Sequence, residues 1–244
     1  MLIVTTFALD SEFAPWRKRR PFQRRDGPVP IYESRLGRVR LRVVLTGIGQ
    51  QAATVAAAAT FCDKPDLCIA SGLAGGLSEA LRVADIVVPP RVIGPGGASV
   101  VCDPSALERA LGCGARRIEA LYSAPAIVVT AAHKRRLCGI ADAVDMESRT
   151  ILGESQHRGV PGLALRAICD TANVDLPLDL NRAVSPRGRI DSARLFAELV
   201  RCPKALPGLV HLGVLGYRTA SALSVFLESY MVQVAGDGEL PRHP

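Results

Sequence analysis

The stretch ASGLAGGLSEALRVADIVVPP, residues 70–90, decides the fold. It follows an apolar run, Leu67–Ala70, and places Gly72, Gly75 and Gly76 within five residues. A short apolar run that ends in bare backbone is typical of a buried strand leading into a turn where a ligand approaches the main chain. A phosphate loop is the obvious interpretation, so the first question is whether this turn holds phosphate or another ligand.

Short apolar runs recur along the chain, and most are bounded by glycine, proline or charge, as expected for buried strands. Helical stretches lie between them: residues 49–62 are rich in alanine, and residues 143–159 have apolar residues at helical spacing and end at Gly159. This alternation predicts a single-domain α/β fold, a three-layer α/β/α arrangement around a mixed, largely parallel sheet. The predicted strands are Leu2–Phe7, Val39–Leu45, Leu67–Ala70, Ile86–Val88, Ala126–Val129 and Leu163–Ile168.

The C-terminal part of the chain divides differently. Residues 174–190 predict an irregular connection, and a helix should begin near Asp191, whose side chain can cap it. We expect the main domain over residues 1–200, an apolar helical tail over 201–235 and disorder over 236–244.

Composition and charge exclude several classes of protein. Hydrophobic residues make up 48% of the 244 residues, which suits a globular domain. Residues 1–13 lack a basic leader and predict a first strand and turn, not a signal peptide. The seven scattered cysteines, with no CxxC pair, indicate reduced thiols in a cytoplasmic protein, and the four histidines form no zinc motif, so we expect no metal. The net charge of +7 fits a solvated basic face, and with only 5% aromatic residues we expect no nucleic-acid partner.

Four short motifs carry the chemistry: FALDSEF (7–13), TGIGQQAA (46–53) with SGLAGGL (71–77), AVDMES (143–148) and LRAICDTAN (165–173). Together and in this order they resemble the nucleoside phosphorylase and nucleosidase superfamily, from the N-terminus to about residue 175. The nearest enzymatic pattern is similar to that of methylthioadenosine/adenosylhomocysteine nucleosidases. The resemblance implies catalysis by the main domain.

The resemblance assigns a role to each motif. It makes Glu12 the residue that orients an attacking water and Glu147 the one that binds the ribose hydroxyls, with Met146 packed on the sugar face. It makes Asp170 the acid that protonates the purine. Gly72 and Leu73 would border the sugar and the nucleophile.

The chemistry independently favours these residue types. Breaking an N-glycosidic bond leaves an oxocarbenium-like sugar and an anionic base, so a carboxylic acid that protonates purine N7 helps the base to leave. A second carboxylate can accept both ribose hydroxyls, and a third can position water. Each residue also has a structural interpretation: Asp170 as a turn cap, Glu147 as a solvated mid-helix residue, and Glu12 as a partner of backbone amides at a helix start.

Leu73 is the residue in the sequence that bears on whether the glycine-rich stretch binds phosphate. Phosphorylases of this superfamily commonly place a hydroxyl where this chain has Leu73, and leucine cannot hydrogen-bond an oxyanion. The backbone amides of residues 72–75 still can, so phosphate is disfavoured but possible. We therefore expect water as the nucleophile and no cofactor. The second glycine turn, Gly47–Gly49, is expected to let the alanine-rich helix start close to a strand.

A narrower likeness rests on GLAGGL, AVDMES, LRAICDTAN and the tail motif RCPKALPGLVHL. These resemble the hopanoid-associated members of the superfamily, which implies cleavage of adenosylhopane to ribosylhopane and adenine. One alternative is a soluble purine nucleoside phosphorylase or methylthioadenosine/adenosylhomocysteine nucleosidase. The other is a non-catalytic nucleoside-binding protein of the same fold, although the three carboxylates argue against it.

The expected partner is a small-molecule or lipid-linked adenosyl substrate, and we expect a homo-oligomer, with a dimer favoured. The base-specificity loop should lie near Val129–His133, where the sequence departs from the nucleosidase pattern. The apolar tail and the basic cluster Arg17–Arg25 suggest peripheral contact with the inner membrane surface. The equally common use of such a tail is packing on the core or on a partner subunit.

Overall fold

The computed structural model describes residues 1–185 and 187–236. A mixed sheet forms its centre, helices cover both faces, and a long helix ends the chain, so the predicted fold class is confirmed. The expectation of disorder over 236–244 falls, from residue 237 on, outside the described residues.

Twelve strands and seven α-helices make up the described part of the chain. The strands are β1 (Leu2–Phe7), β2 (Gln23–Arg25), β3 (Ile31–Leu36), β4 (Val39–Leu45), β5 (Leu67–Gly76), β6 (Ile86–Val88), β7 (Arg91–Ile93), β8 (Ser99–Val101), β9 (Arg116–Arg117), β10 (Leu121–Ser123), β11 (Ala143–Asp145) and β12 (Gly162–Asp170). The helices are α1 (Asp10–Arg19), α2 (Gln50–Phe61), α3 (Pro104–Gly112), α4 (Ala131–Leu137), α5 (Ser148–His157), α6 (Ser192–Arg201) and α7 (Leu206–Gly236).

The central strand β5 changes partner along its length. Its first half pairs with β1 in parallel, from Ile3 opposite Leu67 to Thr6 opposite Ala70. Its end pairs antiparallel with β11, while β12 follows it in parallel along its other edge up to Asp170. Where neighbouring strands part in an open α/β sheet, a crevice forms at their ends, and such crevices are where these folds bind ligands.

The strand predictions are confirmed with two exceptions. The strand that starts at Leu67 does not end at Ala70 but runs through all three glycines to Gly76, so the supposed turn belongs to the sheet. The segment Ala126–Val129 is not a strand: it is an irregular stretch between β10 and α4. A side chain from a distant part of the chain takes the place of a neighbouring strand at Ile127, since Asn181 accepts from the Ile127 amide and donates to the Ile127 carbonyl. The predicted cap at Asp191 is confirmed, and the described residues of 174–190 are irregular apart from one 3₁₀ turn and an isolated β-bridge between Val184 and Ile190.

Two helix boundaries differ from those predicted. The N-terminal acidic segment is not a turn but the first turn of α1, which buries Phe13 and Trp16. Residues 143–159 are not one helix: β11 ends at Asp145 and α5 begins at Ser148. Glu147 therefore stands at the N-terminal end of a helix, not in its middle, because Ala143–Asp145 completes the sheet beside β5.

The apolar tail is a single helix, α7, with two different halves. Its C-terminal half is core: Leu223, Leu227, Tyr230 and Met231 are completely buried. Its N-terminal half is exposed along one side, at Leu206, Val210, Val214 and Tyr217. By length and composition alone the segment Pro203–Gly236 is long and apolar enough to cross a membrane, but the buried half shows it packed within the domain.

The basic cluster of α1 is engaged by α7. Arg20 forms a salt bridge with Glu228, which also accepts from the Trp16 indole at 2.8 Å, and Arg19 donates to Ser224 at 3.0 Å. Arg19 and Arg20 therefore bind the C-terminal half of α7 to α1, while Lys18, Arg24 and Arg25 stay exposed.

Candidate active site

The ends of β1, β5, β11 and β12 converge on one cavity of about 300 Å³. Its polar side chains are carboxylates and one thiol, while most of its wall is apolar. The lining residues are Ala8, Leu9, Glu12, Ile48, Leu73, Ala74, Gly75, Ala126, Ile127, Val128, Val144, Asp145, Met146, Glu147, Cys169, Asp170, Leu176, Leu180, Ile190, Leu212 and Gly216. The predicted residues Glu12, Leu73, Met146, Glu147 and Asp170 thus lie around one space, whereas Gly72 does not line it.

Glu12, in the first turn of α1, is buried and holds three backbone amides. Oε2 accepts from Ala8 and Leu9 at 3.0 and 3.2 Å, and Oε1 accepts from Leu73 at 3.2 Å. Burial raises the pKa of Glu12, although Arg166 and the amides oppose the shift. A carboxylate offers about four acceptor positions, so one position remains, on Oε1. The structural interpretation of Glu12 as an amide partner is therefore correct, and one acceptor position of its carboxylate has no partner among the described residues.

Gly72 makes space for charged side chains. Its φ is +140°, and a Cβ there would lie 2.5 Å from Arg166 Nη1 and 3.1 Å from Glu12 Oε2. Gly75 plays the same part for Asp170, whose Oδ2 would lie 3.3 Å from an added Cβ. Gly72 and Gly75 of the opening stretch thus allow side chains to approach the backbone of β5 closely.

Glu147 is held by the second glycine turn, Gly47–Gly49, and faces Arg166. Its Oε1 accepts from the Gly49 amide at 2.6 Å, and its Oε2 is 3.9 Å from Arg166 Nη2. Burial and the neighbouring Asp145 carboxylate raise the pKa of Glu147 to about 8, although Arg166 and the Gly49 amide oppose the shift. Gly49, at φ +89°, starts α2 as predicted, but its amide also holds this carboxylate.

Arg166 pairs with Asp145 and not with Asp170. Its guanidinium lies 2.5 Å from Asp145, donates to the Ser71 carbonyl at 2.9 Å and reaches the Ser148 hydroxyl at 2.9 Å. Asp145 in turn accepts from Ser123 and from the Ser148 amide. The sequence analysis missed Asp145 as a site residue, because its partner is twenty-one residues away in the chain and is brought near only by the sheet.

Asp170 ends β12, just after a bulge between Ile168 and Asp170. Its Oδ2 accepts from the ammonium of Lys134, and its Oδ1 accepts from the Cys169 thiol at 3.0 Å. Burial, together with the Asp170 carboxylate, raises the pKa of that thiol well above its ordinary value, so it stays protonated as a donor. These side-chain contacts favour a site residue over the turn cap that the sequence left open.

The segment that the sequence predicts as the base-specificity loop does not line the cavity. Ala126, Ile127 and Val128 line the cavity, whereas Val129–His133 do not. Thr130 instead caps α4 by accepting from the His133 amide. Among the described residues, no three His, Cys, Asp or Glu side chains lie close enough to share a metal ion.

The raised pKa of Glu147 leads to a prediction for stability. Between its ordinary pKa of 4.5 and about 8, the folded protein holds a proton that the unfolded chain has lost, so the free energy of unfolding should fall as pH rises across this range. Glu147→Gln removes that loss. Measured by thermal unfolding, the free energy of unfolding of the variant relative to that of the wild-type protein should rise from pH 5 to pH 8, by on the order of a few kcal/mol.

Glu154→Gln, a half-exposed change in α5, is the matched control and should shift little with pH. A difference between Glu147→Gln and wild type that stays constant over this range would contradict the prediction.

Comparison with known proteins agrees with the motifs. The family model described as the phosphorylase superfamily matches residues 3–105. A futalosine hydrolase mutant of Helicobacter pylori superposes with a TM-score of 0.73 at 16% identity, covering 96% of this chain and 99% of that one.

Two nucleosidase structures are similar to a comparable degree. The 5'-methylthioadenosine/S-adenosylhomocysteine nucleosidase of Helicobacter pylori gives a TM-score of 0.73 at 17% identity, covering 96% of this chain and 98% of that one. The Campylobacter jejuni 5'-methylthioadenosine/S-adenosyl homocysteine nucleosidase gives 0.74 at 15%, covering 96% and 99%. Over residues 3–105 the sequence therefore resembles the phosphorylase superfamily, as its motifs predict, and over nearly the whole chain the fold is similar to that of these hydrolase and nucleosidase structures.

Proposed function

We propose that this protein is a purine nucleosidase, which hydrolyses the N-glycosidic bond of an adenosyl compound. The observation that carries the proposal is the convergence of Glu12, Glu147 and Asp170 on one cavity from three separate parts of the chain. Each carboxylate is buried, yet each has a different set of partners, so the three can differ in protonation and in role.

The roles follow from those surroundings. Asp170 gives a proton to purine N7 as the C1′–N9 bond breaks and its electron pair passes to the base. Glu147 accepts the ribose hydroxyls, and Met146 packs against the sugar. A water held by the free acceptor position of Glu12 attacks C1′ and passes its proton to that carboxylate. The products are adenine and a free ribosyl sugar.

The surroundings of Leu73 favour water over phosphate. Its amide, one of those that could hold an oxyanion, already donates to Glu12 Oε1. A phosphate at this point would displace a carboxylate or lie against it, which costs free energy at short range in a buried site. Arg166, a cation of the kind that binds phosphate, is already paired with Asp145.

We further propose that the substrate is the adenosyl headgroup of a membrane lipid, adenosylhopane, which would give ribosylhopane in hopanoid biosynthesis. The narrower family likeness supports this. So does the apolar cavity wall, in which Leu212 and Gly216 come from the N-terminal half of α7. That half and the neighbouring α6 carry exposed apolar side chains, which are Phe196, Val200, Leu206, Val210, Val214 and Tyr217.

Charge favours the same surface for peripheral membrane contact. Residues 182–218 hold seven Lys and Arg against two Asp and Glu. Each basic residue near an anionic leaflet contributes about 1 kcal/mol of attraction. The α1 cluster contributes less to such a contact at Arg19 and Arg20, which are bound to α7. Within residues 182–218, Arg182, Arg194 and Arg201 are paired with the two acidic residues. A cytoplasmic protein that visits the inner membrane surface fits this arrangement, and the same surface is the alternative contact for a homodimer.

The test is adenine release from a panel of adenosyl compounds, with and without phosphate. We expect cleavage without phosphate and a free sugar as product. Adenosylhopane in liposomes should be cleaved much faster than methylthioadenosine or adenosylhomocysteine. Liquid chromatography of the base and mass spectrometry of the sugar measure both outcomes.

Each part of the proposal can fail separately. A strict need for phosphate, with only the sugar 1-phosphate formed, would favour a purine nucleoside phosphorylase. Efficient cleavage of methylthioadenosine with none of adenosylhopane would leave a soluble nucleosidase. Binding of adenosyl compounds with no turnover under either condition would indicate the non-catalytic binding protein.

A further inference from the structure

Lys134 is the most unusual side chain near the cavity. It lies in the seven-residue helix α4, where its neighbours His133, Arg135 and Arg136 are exposed, yet its own side chain is completely buried. Lysine is almost never fully buried unless it is paired, since removing an ammonium from water costs several kcal/mol. Specific partners must therefore compensate the cost of burying this ammonium.

The ammonium of Lys134 is fully satisfied. It donates to Asp170 Oδ2, to the Thr171 carbonyl at 2.8 Å and to the Val174 carbonyl at 2.8 Å. An ammonium has three donors and no acceptor, so each donor has its partner. All three partners lie in residues 170–174, so the hydrogen bonds of Lys134 join α4 to the end of β12.

The contacts of Lys134 fix which oxygen of Asp170 serves the ligand. Oδ2 is engaged by the ammonium, whereas both oxygens lie over Gly75, where an added Cβ would come within 3.3 Å of Oδ2 and 3.5 Å of Oδ1. Oδ1 has only the Cys169 thiol, a weak donor, at 3.0 Å. Because Asp170 lines the cavity, Oδ1 is the oxygen left to meet a bound base.

We propose that Lys134 is a positioning residue for the reaction, which acts through Asp170; this rests on the nucleosidase function proposed above. Asp170 takes up a proton from solvent on Oδ1 before each turnover, and the ammonium holds the carboxyl group so that this proton is delivered to N7. When N7 takes that proton, Asp170 becomes a carboxylate, and the fixed positive charge beside Oδ2 stabilises the negative charge that forms there. Preorganised charge of this kind lowers the barrier because it needs no rearrangement during the reaction.

A purely structural role would give a different pattern of effects. If Lys134 only held the backbone at Thr171 and Val174 in place, its loss would slow the cleavage of every substrate to the same extent. Positioning Asp170 matters only when a proton is transferred. A substrate methylated at purine N7 already carries the positive charge that the proton supplies, so its cleavage needs no acid.

The experiment compares Lys134→Met with the wild-type protein on two substrates: the adenosyl compound cleaved fastest in the panel and its N7-methylated derivative. We expect kcat for the first to fall about 10²-fold, as for a misplaced catalytic group, with KM little changed. Cleavage of the second should be nearly unaffected. Arg135→Met, an exposed change in the same helix, is the matched control and should alter neither.

Lys134→Gln provides a second variant if the methionine variant does not fold. Its amide still donates to the backbone carbonyls but brings no charge, and we expect the same selective loss. Unchanged kcat on the first substrate would overturn the proposal, as would an equal loss on both substrates by a stably folded variant. A wild-type protein that releases no adenine contradicts the proposed function instead, and Asp170→Asn shows separately whether the acid is needed.

Discussion

Asp170→Asn is expected to lower adenine release by on the order of 10²–10⁴-fold, the usual cost of removing a general acid. Asparagine has nearly the same shape as aspartic acid but cannot give up a proton to N7. Its carbonyl oxygen can still accept from Lys134, and its amide can face the thiol of Cys169, so the contacts at the end of β12 largely survive. The loss should therefore appear in kcat, while substrate binding changes little.

The control is Asp63→Asn, whose carboxylate pairs with Arg42 near the surface, outside the cavity lining. Both variants should be checked by thermal unfolding, so that a loss of fold is separated from a loss of chemistry. If folded Asp170→Asn protein released adenine at the wild-type rate, Asp170 would not be the acid. The role of Lys134 would then fail with it.

Much of the fold can be predicted from local pattern. The strands β1, β4 and β6 coincide with their predicted bounds, because short apolar runs between glycine, proline or charge match strands buried in a sheet. The prediction fails at Ala126–Val129, where an equally apolar run lines a cavity. Apolarity reports burial and not the structure that provides it, so a cavity wall and a strand look alike in sequence.

The site divides in the same way. Glu12, Glu147 and Asp170 could be proposed because they stand in motifs with a recognisable order. Lys134 could not, because in AAHKRRL it is one of three consecutive basic residues, and only the fold buries it while Arg135 and Arg136 stay in water. Its partner Asp170 is 36 residues away, and no local pattern records that distance.

The tail shows a third limit. Its composition is uniformly apolar, which by itself suits a membrane surface or a core helix equally well. Only the tertiary contacts separate the two halves: the part from Thr219 onward packs on the core, while the part before it exposes its apolar side. The same tertiary contacts bind Arg19 and Arg20, two of the cations in the basic cluster Arg17–Arg25, to α7.

Glu12→Gln is expected to lower hydrolysis by on the order of 10²-fold or more, while the fold is retained. Glutamine has one oxygen where glutamate has two. With that oxygen towards the amides of Ala8 and Leu9, two hydrogen bonds are kept, and the NH₂ group faces the Leu73 amide and the water position. The opposite orientation would break two bonds to keep one, so the first should be preferred. The water then loses both its acceptor and its base.

Stability should change less than activity in this variant. Leaving the buried Leu73 amide without an acceptor costs about 1–3 kcal/mol. Replacing a buried carboxyl whose pKa is raised by burial offsets part of that cost, since glutamine cannot ionise. Single-turnover adenine release and thermal unfolding measure the two effects, with Glu154→Gln again as control. Azide is a nucleophile that needs no base, so it should restore part of the lost rate and give a glycosyl azide. If folded Glu12→Gln protein hydrolysed the substrate at the wild-type rate, Glu12 would serve only to join α1 to β5, and another group would activate the water.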